Sequence, residues 1–355
     1  MAVFRNFDEL EVIAPNFKRR LSGVTSTIIQ LIPAQRAAGL EIAVLGEGLP
    51  DTLPKIRYRD LWRLLKRPLS GKKRVWHARR NVEMLCGIIL RDMLRMPLKL
   101  VFTSASQRKH KAYTKWLITK MDSVIATSAK TATYLSVPNT IIMHGIDADR
   151  FSPVDDKMAA KQAVGLPTDK KIVGCFGRIR AQKGSDLFID AMILALQSNP
   201  SWIAILAGRA TLEHAAFQKD MEARIANAGM VDRIIFVGEH TDIERWYQAL
   251  DLFIAPQRWE GFGLTPLEAM SCGVPVIATN VGAFDELIIE GSTGYILENF
   301  EASIMAEQAI IMMRDDTLRQ KMSLGCRQHI VSKFSLSREV EQLNSVYRQV
   351  LQGAN

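Results

Sequence analysis

Two glutamates that enclose a glycine-containing loop are the residues of this sequence best suited to chemistry. Glu260 and Glu268 flank the segment GFGLTPL, and the apolar run AMSCGVPVIAT follows. Thr265 is a predicted helix N-cap, and Glu268 would complete a capping box at the third helical position. Glycine permits backbone conformations and close approaches that side chains forbid. The segment therefore predicts free N–H groups around Gly263 and Leu264, which suit an anion such as phosphate.

The two glutamates differ in how well a structural role accounts for them. Glu268 could serve the capping box alone, and the sequence leaves that alternative open. Glu260 precedes the predicted helix, so its alternative is ordinary solvation of a loop residue. We therefore expect Glu260 to take part in the chemistry more directly than Glu268.

A second candidate anion site follows the strand-like run KIVGCFG. The chain continues as GRIRAQKG, so Arg178 and Lys183 lie in a glycine-bounded loop just before a predicted helix. A solvated basic loop is the alternative explanation. Together with the loop at Gly263, however, the two cations predict a clamp for a diphosphate. Such cations stabilise the negative charge that develops when a bond to a departing diphosphate breaks.

The sequence predicts neither a metal site nor a cofactor. No group of histidines, cysteines and carboxylates has zinc-ligand spacing, and the phosphate-loop sequence GxxxxGK[ST] is absent. Asp147-Ala148-Asp149 looks like a metal-binding DxD motif, but it lies outside the phosphate loops and we interpret it as linker. Arginine and lysine would then do the work of a metal ion.

Strands that alternate with helices must position these loops. Short, nearly unbroken apolar runs indicate strands covered on both faces, and therefore parallel sheets in an α/β protein. A helix is predicted over Val24–Ala38, kinked or shortened at Pro33, and another over Ser185–Gln197 with Ser185 as N-cap. The predicted strands are Glu11–Pro15, LEIAVLG, Arg74–His77, Leu98–Thr103 and Ser123–Thr127, followed by KKIVGCFG, SWIAILAG, RIIFVG, DLFIAP and PVIAT.

The looser stretch between Pro138 and Lys171 separates two such halves. We predict an N-terminal domain over residues 1–152 and a C-terminal domain over 153–335. A last helix at about 336–355 is expected to pack back on the first domain. Two open α/β domains that face each other form a cleft, and ligands of such sheets bind beyond the carboxyl ends of the strands.

Charge is distributed unevenly between the halves. Residues 1–150 contain 26 Lys and Arg against 12 Asp and Glu, whereas the remainder contains 20 against 25. The excess is densest from Lys55 to Arg80, where eleven basic residues accompany one acid, Asp60. The alternatives are a solvated face or a surface for an anionic partner: membrane, acidic lipid or nucleic acid. Apolar side chains lie among these charges, as in an amphipathic helix at a membrane; they are Leu61, Trp62, Leu64, Leu65 and Leu69.

The expected location is the cytoplasm or the surface of a membrane. Four scattered cysteines predict reduced thiols of a cytoplasmic protein. The first residues contain no apolar signal core. No apolar run approaches the ~20 residues that a membrane span needs.

Several of these motifs together resemble one enzyme family. The paired glutamates around GFGLTPL, the loop GRIRAQKG and the segment HGIDADRF are similar, in order and spacing, to the retaining GT-B glycosyltransferases of family 4. His144 stands where that family usually has asparagine. In the N-terminal half, VWHARRNVEM and VFTSASQRKH resemble the lipopolysaccharide core mannosyltransferases of bacterial envelope synthesis. The resemblance implies two Rossmann-like domains whose parallel sheets face each other across a cleft.

The resemblance also implies a reaction and its residues. A sugar would pass from a nucleotide sugar, GDP-mannose, to an anionic glycolipid acceptor with retained anomeric configuration. Arg178 and Lys183 would neutralise the departing diphosphate, and Glu260 would contact sugar hydroxyls. Glu268 would accept from the ribose. The remaining donor-binding residues that it implies are Gly23, Glu239, His240, Gly261, Phe262, Gly263 and Leu264.

One position departs from the family pattern. Many members have a histidine at the end of an N-terminal-domain strand, where this chain has Thr103 and Ser104. His77 ends the preceding predicted strand and could line the cleft in its place. Further candidates for the cleft and the acceptor are Arg79 and Lys109.

Other functions are compatible with parts of the sequence. Another nucleotide-sugar enzyme of this fold, a UDP-sugar transferase, an epimerase or a glucan synthase, would share the phosphate loops. A basic nucleic-acid-binding protein would explain the charge but not the glutamate and glycine pattern, and its aromatic residues would be too few. We therefore expect a peripheral enzyme on the inner face of the bacterial cytoplasmic membrane, with no nucleic-acid partner.

Overall fold

A computed structural model describes residue 4 and the ranges 6–18 and 23–353. The chain forms two compact units, Met1–Gly145 with Leu336–Asn355, and Ile146–Ser335. The division falls after Gly145 rather than after residue 152, because the second unit holds the intervening residues. Arg327 donates hydrogen bonds to the carbonyls of Ala148 and Phe151 at 2.8 and 3.1 Å.

The first unit contains a seven-stranded, entirely parallel sheet. Its strands are β1 (Val12–Asn16), β2 (Ile42–Gly46), β3 (Lys55–Ile56), β4 (Arg74–Ala78), β5 (Leu98–Ser104), β6 (Ser123–Ala126) and β7 (Thr140–Ile141). Their order in the sheet is β3-β2-β1-β4-β5-β6-β7. Every residue of β1 and β4 is buried, as expected of strands covered on both faces.

Helices connect these strands. They are α1 (Gly23–Ala37), α2 (Asn81–Ile88), α3 (Ala112–Thr119) and α4 (Ala129–Ala132). A 3₁₀ helix covers Tyr58–Leu65, and one π-helical segment, Ile89–Met93, extends α2. Pro33 does not shorten α1, which continues to Ala37.

The second unit contains a six-stranded parallel sheet in the order β10-β9-β8-β11-β12-β13. The strands are β8 (Lys171–Phe176), β9 (Trp202–Ala207), β10 (Ile234–Gly238), β11 (Leu252–Ala255), β12 (Val276–Thr279) and β13 (Gly294–Leu297). The order reverses between β8 and β11, which lie side by side although two strands separate them in sequence. Ligands of doubly wound sheets bind at such a switch point.

Eight α-helices of the described chain belong to this second unit. They are α5 (Lys157–Ala163), α6 (Ser185–Gln197), α7 (Ala215–Asn227), α8 (Ile243–Gln248), α9 (Thr265–Ser271), α10 (Phe284–Leu287), α11 (Ala302–Arg314) and α12 (Asp316–Lys333). One core cluster joins β8 and β9 to α6 and α11 through side chains such as Phe188, Leu206 and Met312.

The last helix, α13 (Leu336–Gln352), packs against the first unit. Val340, Leu343 and Tyr347 share a core cluster with α1 and with β1. Asn344 accepts a hydrogen bond from Gln35 at 3.2 Å. Of the helices in the described ranges, none is both long and apolar enough to cross a membrane.

Candidate active site

The first site loop of the second unit connects β8 to α6. Gly184 has the left-handed φ of 71°, and a Cβ atom there would lie 1.8 Å from the carbonyl oxygen of Pro256. Glycine is therefore required where this loop passes the end of β11. Gly184 is also the N-cap of α6, and Ser185 is the first helical residue rather than the cap that the sequence predicted.

Ion pairs join this loop to the loop that follows β11. Lys183 pairs with Glu260, and the two side chains are only 21% and 19% exposed. Arg258 binds both carboxylate oxygens of Asp186, at 2.7 and 2.9 Å. The two loops that the sequence identified separately therefore form one structure. No sequence pattern predicts the pairing of Arg258 with Asp186, because these residues are far apart along the chain.

Arg178 and Lys183 are brought together. Both line one small depression, with Gly177 and Ser185, at the carboxyl end of β8. They place two cationic side chains at the edge of the sheet where ligands bind, with the Glu260 carboxylate beside Lys183.

The loop between Glu260 and α9 keeps free backbone donors. Gly263 has a φ of 96°, and a Cβ atom there would lie 2.1 Å from the ring of Phe284. Within the described ranges, no group accepts a hydrogen bond from the N–H of Gly263 or Leu264. Phe262 is buried and anchors the loop through its carbonyl, which accepts from Ala283 N–H at 3.1 Å. Gly261 N–H donates to the Glu260 carboxylate at 3.1 Å.

The predicted capping box is wrong. Leu264 is the N-cap of α9, Thr265 is already helical, and no side chain caps this end. The Glu268 carboxylate instead accepts a hydrogen bond from the Tyr247 hydroxyl at 2.8 Å. Burial raises the pKa of Glu268, and burial beside that carboxylate raises the pKa of Tyr247 well above its usual value. A tertiary contact therefore replaces the local one.

Glu239 and His240 follow β10 at the same edge of the sheet. His240 stacks on Trp246 with ring centroids 4.2 Å apart, and its Nε2 bonds the carbonyl of Val237 at 2.7 Å. Glu239 is exposed. The stacked pair offers a flat surface beside the strand end.

In the first unit, the buried His77 side chain forms hydrogen bonds with both of its ring nitrogens. Its Nε2 lies 2.7 Å from Thr103 Oγ1, and its Nδ1 lies 2.6 Å from the Tyr347 hydroxyl. Burial, and then the nearby Arg79 guanidinium, hold the pKa of His77 well below its usual value of 6.5. His77 is therefore a neutral residue whose two ring nitrogens are both engaged.

The other first-unit candidates lie at two places. Arg79, Ser104 and Lys109 line a cavity beyond the ends of β4 and β5. Gly23 is the exposed first residue of α1, and a Cβ atom there would have no atom of the described residues within 4 Å. His144 bonds Glu339 at 2.9 Å.

The basic segment Lys55–Arg80 divides into structural and exposed residues. Lys55 and Arg74 are buried, and Arg74 donates to the carbonyls of Leu10 and Phe7 at 3.1 and 2.7 Å. Leu64 is buried and Leu61 packs against the same core, so neither belongs to a membrane-facing side. The exposed apolar side chains of this segment are Tyr58, Trp62, Leu65 and Leu69.

The described residues contain no cluster of three or more histidine, cysteine or carboxylate groups placed to hold a metal ion. The Asp147 carboxylate accepts from the N–H groups of Asp149 and Arg150 at 3.2 and 3.0 Å. Asp147 is thereby engaged in a turn of the chain.

Comparison with known proteins defines the class. The family profile described as Glycosyl transferases group 1 matches residues 156–329. HepE of Anabaena, solved in complex with UDP, shares the fold with a TM-score of 0.84 and 19% identity, covering 96% of this chain and all of that one. The two parallel-sheet units and these likenesses define a GT-B glycosyltransferase.

Two relatives that align over nearly their whole length identify the family within this class. The lipopolysaccharide core biosynthesis mannosyltransferase LpsB of Rhizobium meliloti (strain 1021) is 58% identical over 345 residues, 97% of this chain and 98% of that protein. The enzyme of the same description, LpcC, of Rhizobium leguminosarum bv. viciae is 49% identical over 343 residues, 97% of each chain. The chain therefore belongs to the family of lipopolysaccharide core biosynthesis mannosyltransferases.

Proposed function

We propose that this enzyme transfers mannose from GDP-mannose, with retention of configuration, to an anionic glycolipid acceptor of the lipopolysaccharide core. The second unit holds the donor and the first unit the acceptor. One observation carries the proposal: Lys183 is paired with Glu260, in the loop that bears the free N–H groups of Gly263 and Leu264. The two Rhizobium relatives, both named lipopolysaccharide core biosynthesis mannosyltransferases, support the choice of mannose and of the lipopolysaccharide core.

The residues of the two second-unit loops assist the departure of the nucleoside diphosphate. Arg178 and Lys183 neutralise the diphosphate as its bond to the sugar breaks, and removing one such group typically costs ~10²–10³ in rate. The N–H groups of Gly263 and Leu264 hold phosphate oxygens. Glu260, released from part of its contact with Lys183 when the diphosphate enters, accepts from sugar hydroxyls.

The nucleoside is held further from the reacting bond. Glu268 accepts from ribose hydroxyls through carboxylate capacity that Tyr247 leaves unused, since an ionised carboxylate has two oxygens and several acceptor positions. Backbone groups near Glu239 and His240 frame the base, with Trp246 supporting the histidine ring.

The reaction needs no metal ion and no cofactor in this proposal. Two cations and a pair of backbone N–H groups meet the charge that a divalent ion meets in other transferases. The enzyme would contact the membrane with the exposed part of the segment 57–73. There Trp62, Leu65 and Leu69 lie among exposed basic residues. The enzyme would then work as a peripheral protein on the inner face of the cytoplasmic membrane.

A donor panel in the presence of EDTA tests the proposal. Purified enzyme is incubated with lipopolysaccharide from cells that lack this enzyme and with GDP-mannose, UDP-glucose or UDP-galactose in turn. We expect transfer from GDP-mannose alone, undiminished by excess EDTA. Transfer from a UDP-sugar would show that GDP-mannose is not the donor. The absence of transfer from all three donors would refute the proposed function. Loss in EDTA that Mg²⁺ or Mn²⁺ restores would overturn the metal-free mechanism.

A further inference from the structure

A cavity of the first unit is lined by cations and by no carboxylate. It has a volume of about 420 Å³, which lies in the range of ligand pockets. Four of its lining residues are arginine or lysine, namely Arg79, Arg108, Lys109 and Lys111, and none is aspartate or glutamate. The composition therefore favours a negatively charged occupant.

The fold places this cavity at the ligand-binding edge of the sheet. β4 ends at Ala78 and Arg79 follows it, while β5 ends at Ser104. The chain from 105 to 111 then leaves the sheet and enters α3 at Ala112. Because β4 and β5 are parallel neighbours, their carboxyl ends and the residues after them lie side by side.

The four cations lack acidic partners. Within the described ranges, none of them has a carboxylate at ion-pair distance. The contacts of the Arg79 guanidinium are with His77, at 3.3 Å to its carbonyl oxygen and 3.5 Å to Nδ1. Burial lowers the pKa of Arg79, so desolvation disfavours its charge. The Glu83 and Glu339 carboxylates favour the charge of Arg79 but lie beyond ion-pair distance and do not outweigh the effect of burial. An anion bound in the cavity would offset the remaining cost.

The same loop carries buried polar atoms that have no partner. Gln107 Nε2 and His110 Nε2 are buried and form no hydrogen bond with any described residue. Burial, together with Arg108 and Lys115, lowers the pKa of His110, which favours a neutral ring. Of these two residues, only His110 lines the cavity. Buried polar atoms are nearly always satisfied in folded proteins, so the unpartnered His110 Nε2 indicates a missing partner there.

We propose that this cavity is a subsite for the oxyanion of an acidic sugar on the acceptor, a carboxylate or a phosphate. Arg79 and Arg108 match such a group because guanidinium donors bind two of its oxygens at once. Lys109 and Lys111 add charge at the exposed rim, and Ser104, Ser106 and Thr114 supply hydroxyls for the rest of the sugar. The assignment to the acceptor rests on the proposed function; the anion site itself does not.

A ligand-observed NMR titration of the full chain at low salt tests the subsite. The probes are glucuronate, glucose 6-phosphate and, as the neutral control, glucose. We expect one or both anions to bind and glucose not to bind. Arg108→Ala combined with Lys111→Ala should weaken anion binding at least about tenfold, since charge-assisted hydrogen bonds are lost. The matched control, Lys72→Ala with Lys120→Ala, removes two exposed charges of the same unit, outside the cavity lining, and should bind as wild type does.

Each outcome decides the proposal. Binding of glucuronate alone identifies a carboxylate site, and binding of glucose 6-phosphate alone a phosphate site. Equal weakening in both double variants would mean nonspecific attraction, and binding of neither anion, or of glucose equally well, would also overturn the subsite. GDP binding, followed by thermal shift in the same samples, tests the proposed function separately, because the donor loops belong to the other unit.

Discussion

The candidate sites of the two units use their cations in opposite ways. In the second unit, Lys183 pairs with Glu260 and Arg258 pairs with Asp186, so that acids and bases tie two loops together. In the first unit, Arg79 and Arg108 line a cavity with no carboxylate at ion-pair distance among the described residues. A paired cation fixes the geometry of a site, whereas an unpaired one leaves its charge for a ligand. We therefore expect the second-unit site to be preorganised and the first-unit cavity to be completed by a bound anion.

The largest expected effect is the loss of Glu260. Glu260→Ala should abolish transfer, because it removes both the contact to the donor sugar and the ion pair that positions Lys183. Stability should change little, since the Lys183 ammonium retains access to water. Transfer assays and thermal unfolding measure the two effects. An unfolded variant would make Glu260 a structural residue and would end its proposed role.

Next come the diphosphate cations. Arg178→Ala and Lys183→Ala should each reduce turnover ~100-fold or more without loss of folding, because leaving-group stabilisation is lost. Steady-state kinetics with GDP-mannose measure this. Lys170→Ala, which alters a lysine of the same unit that lies before β8, serves as control. Normal turnover in both cation variants would remove the diphosphate clamp from the account.

The exposed charges of the first unit should act on membranes. Neutralising Arg63, Lys66, Arg67, Lys72 and Lys73 together should weaken binding to anionic vesicles at least about tenfold, since each basic residue near such a surface contributes about 1 kcal/mol. Donor hydrolysis should stay nearly unchanged. Sedimentation with anionic and neutral vesicles measures this, and wild-type binding should fade by roughly 0.5 M salt because screening shortens the Debye length.

A control variant tests whether the loss of vesicle binding is specific to this segment. Five exposed basic residues of the second unit are neutralised in the same way, namely Lys219, Arg245, Arg314, Lys321 and Lys333. This control should bind anionic vesicles as the wild type does. Equal binding of the wild type to anionic and neutral vesicles, or none to either, would leave the segment as a solvated face or an acceptor contact.

Glu268 should combine a functional and a structural effect. Glu268→Ala leaves the buried Tyr247 hydroxyl without its acceptor, which costs about 1–3 kcal/mol of the free energy of unfolding. Activity should fall as well. In Tyr247→Phe the hydroxyl is gone, so activity should be retained better than in Glu268→Ala. Chemical denaturation and kinetics of both variants separate the effects; unchanged activity in Glu268→Ala would make Glu268 purely structural.

The smallest expected effect concerns His77 and pH. Because its folded-state pKa lies well below 6.5, the unfolded chain binds the proton first as the pH falls. Stability should therefore decline below about pH 6.5, by at most about 1.4 kcal/mol per pH unit for this group. Thermal unfolding between pH 7 and 5 should show a shallower decline in His77→Gln than in the wild type or in His214→Gln. Parallel declines in all three would contradict a neutral, buried His77.

Strands with long apolar runs could be predicted from the sequence. Apolar runs such as LEIAVLG and SWIAILAG indicated strands now seen as β2 and β9. The two-residue strands β3 and β7 are too short to carry any periodicity. The expectation that Pro33 shortens its helix was wrong, because α1 continues past it to Ala37.

The candidate site was predictable only in its local parts. The loop at Lys183 and the loop at Glu260 stood out by composition, but their pairing is a tertiary contact that no short pattern encodes. The capping box failed for the same reason, since Tyr247 binds the Glu268 carboxylate from another helix. Likewise, the charge count from Lys55 to Arg80 could not separate the buried Arg74 from the exposed lysines.

Calorimetric titration with GDP and GMP, in EDTA, tests most directly whether the loops at Lys183 and Gly263 hold a nucleoside diphosphate. If these loops bind the diphosphate, wild type should bind GDP at least about tenfold more tightly than GMP, a difference of about 1.4 kcal/mol. Lys183→Ala should lower the affinity for GDP towards that for GMP. Equal affinities of the wild type for both nucleotides, or undiminished GDP binding by Lys183→Ala, would contradict this role of the loops.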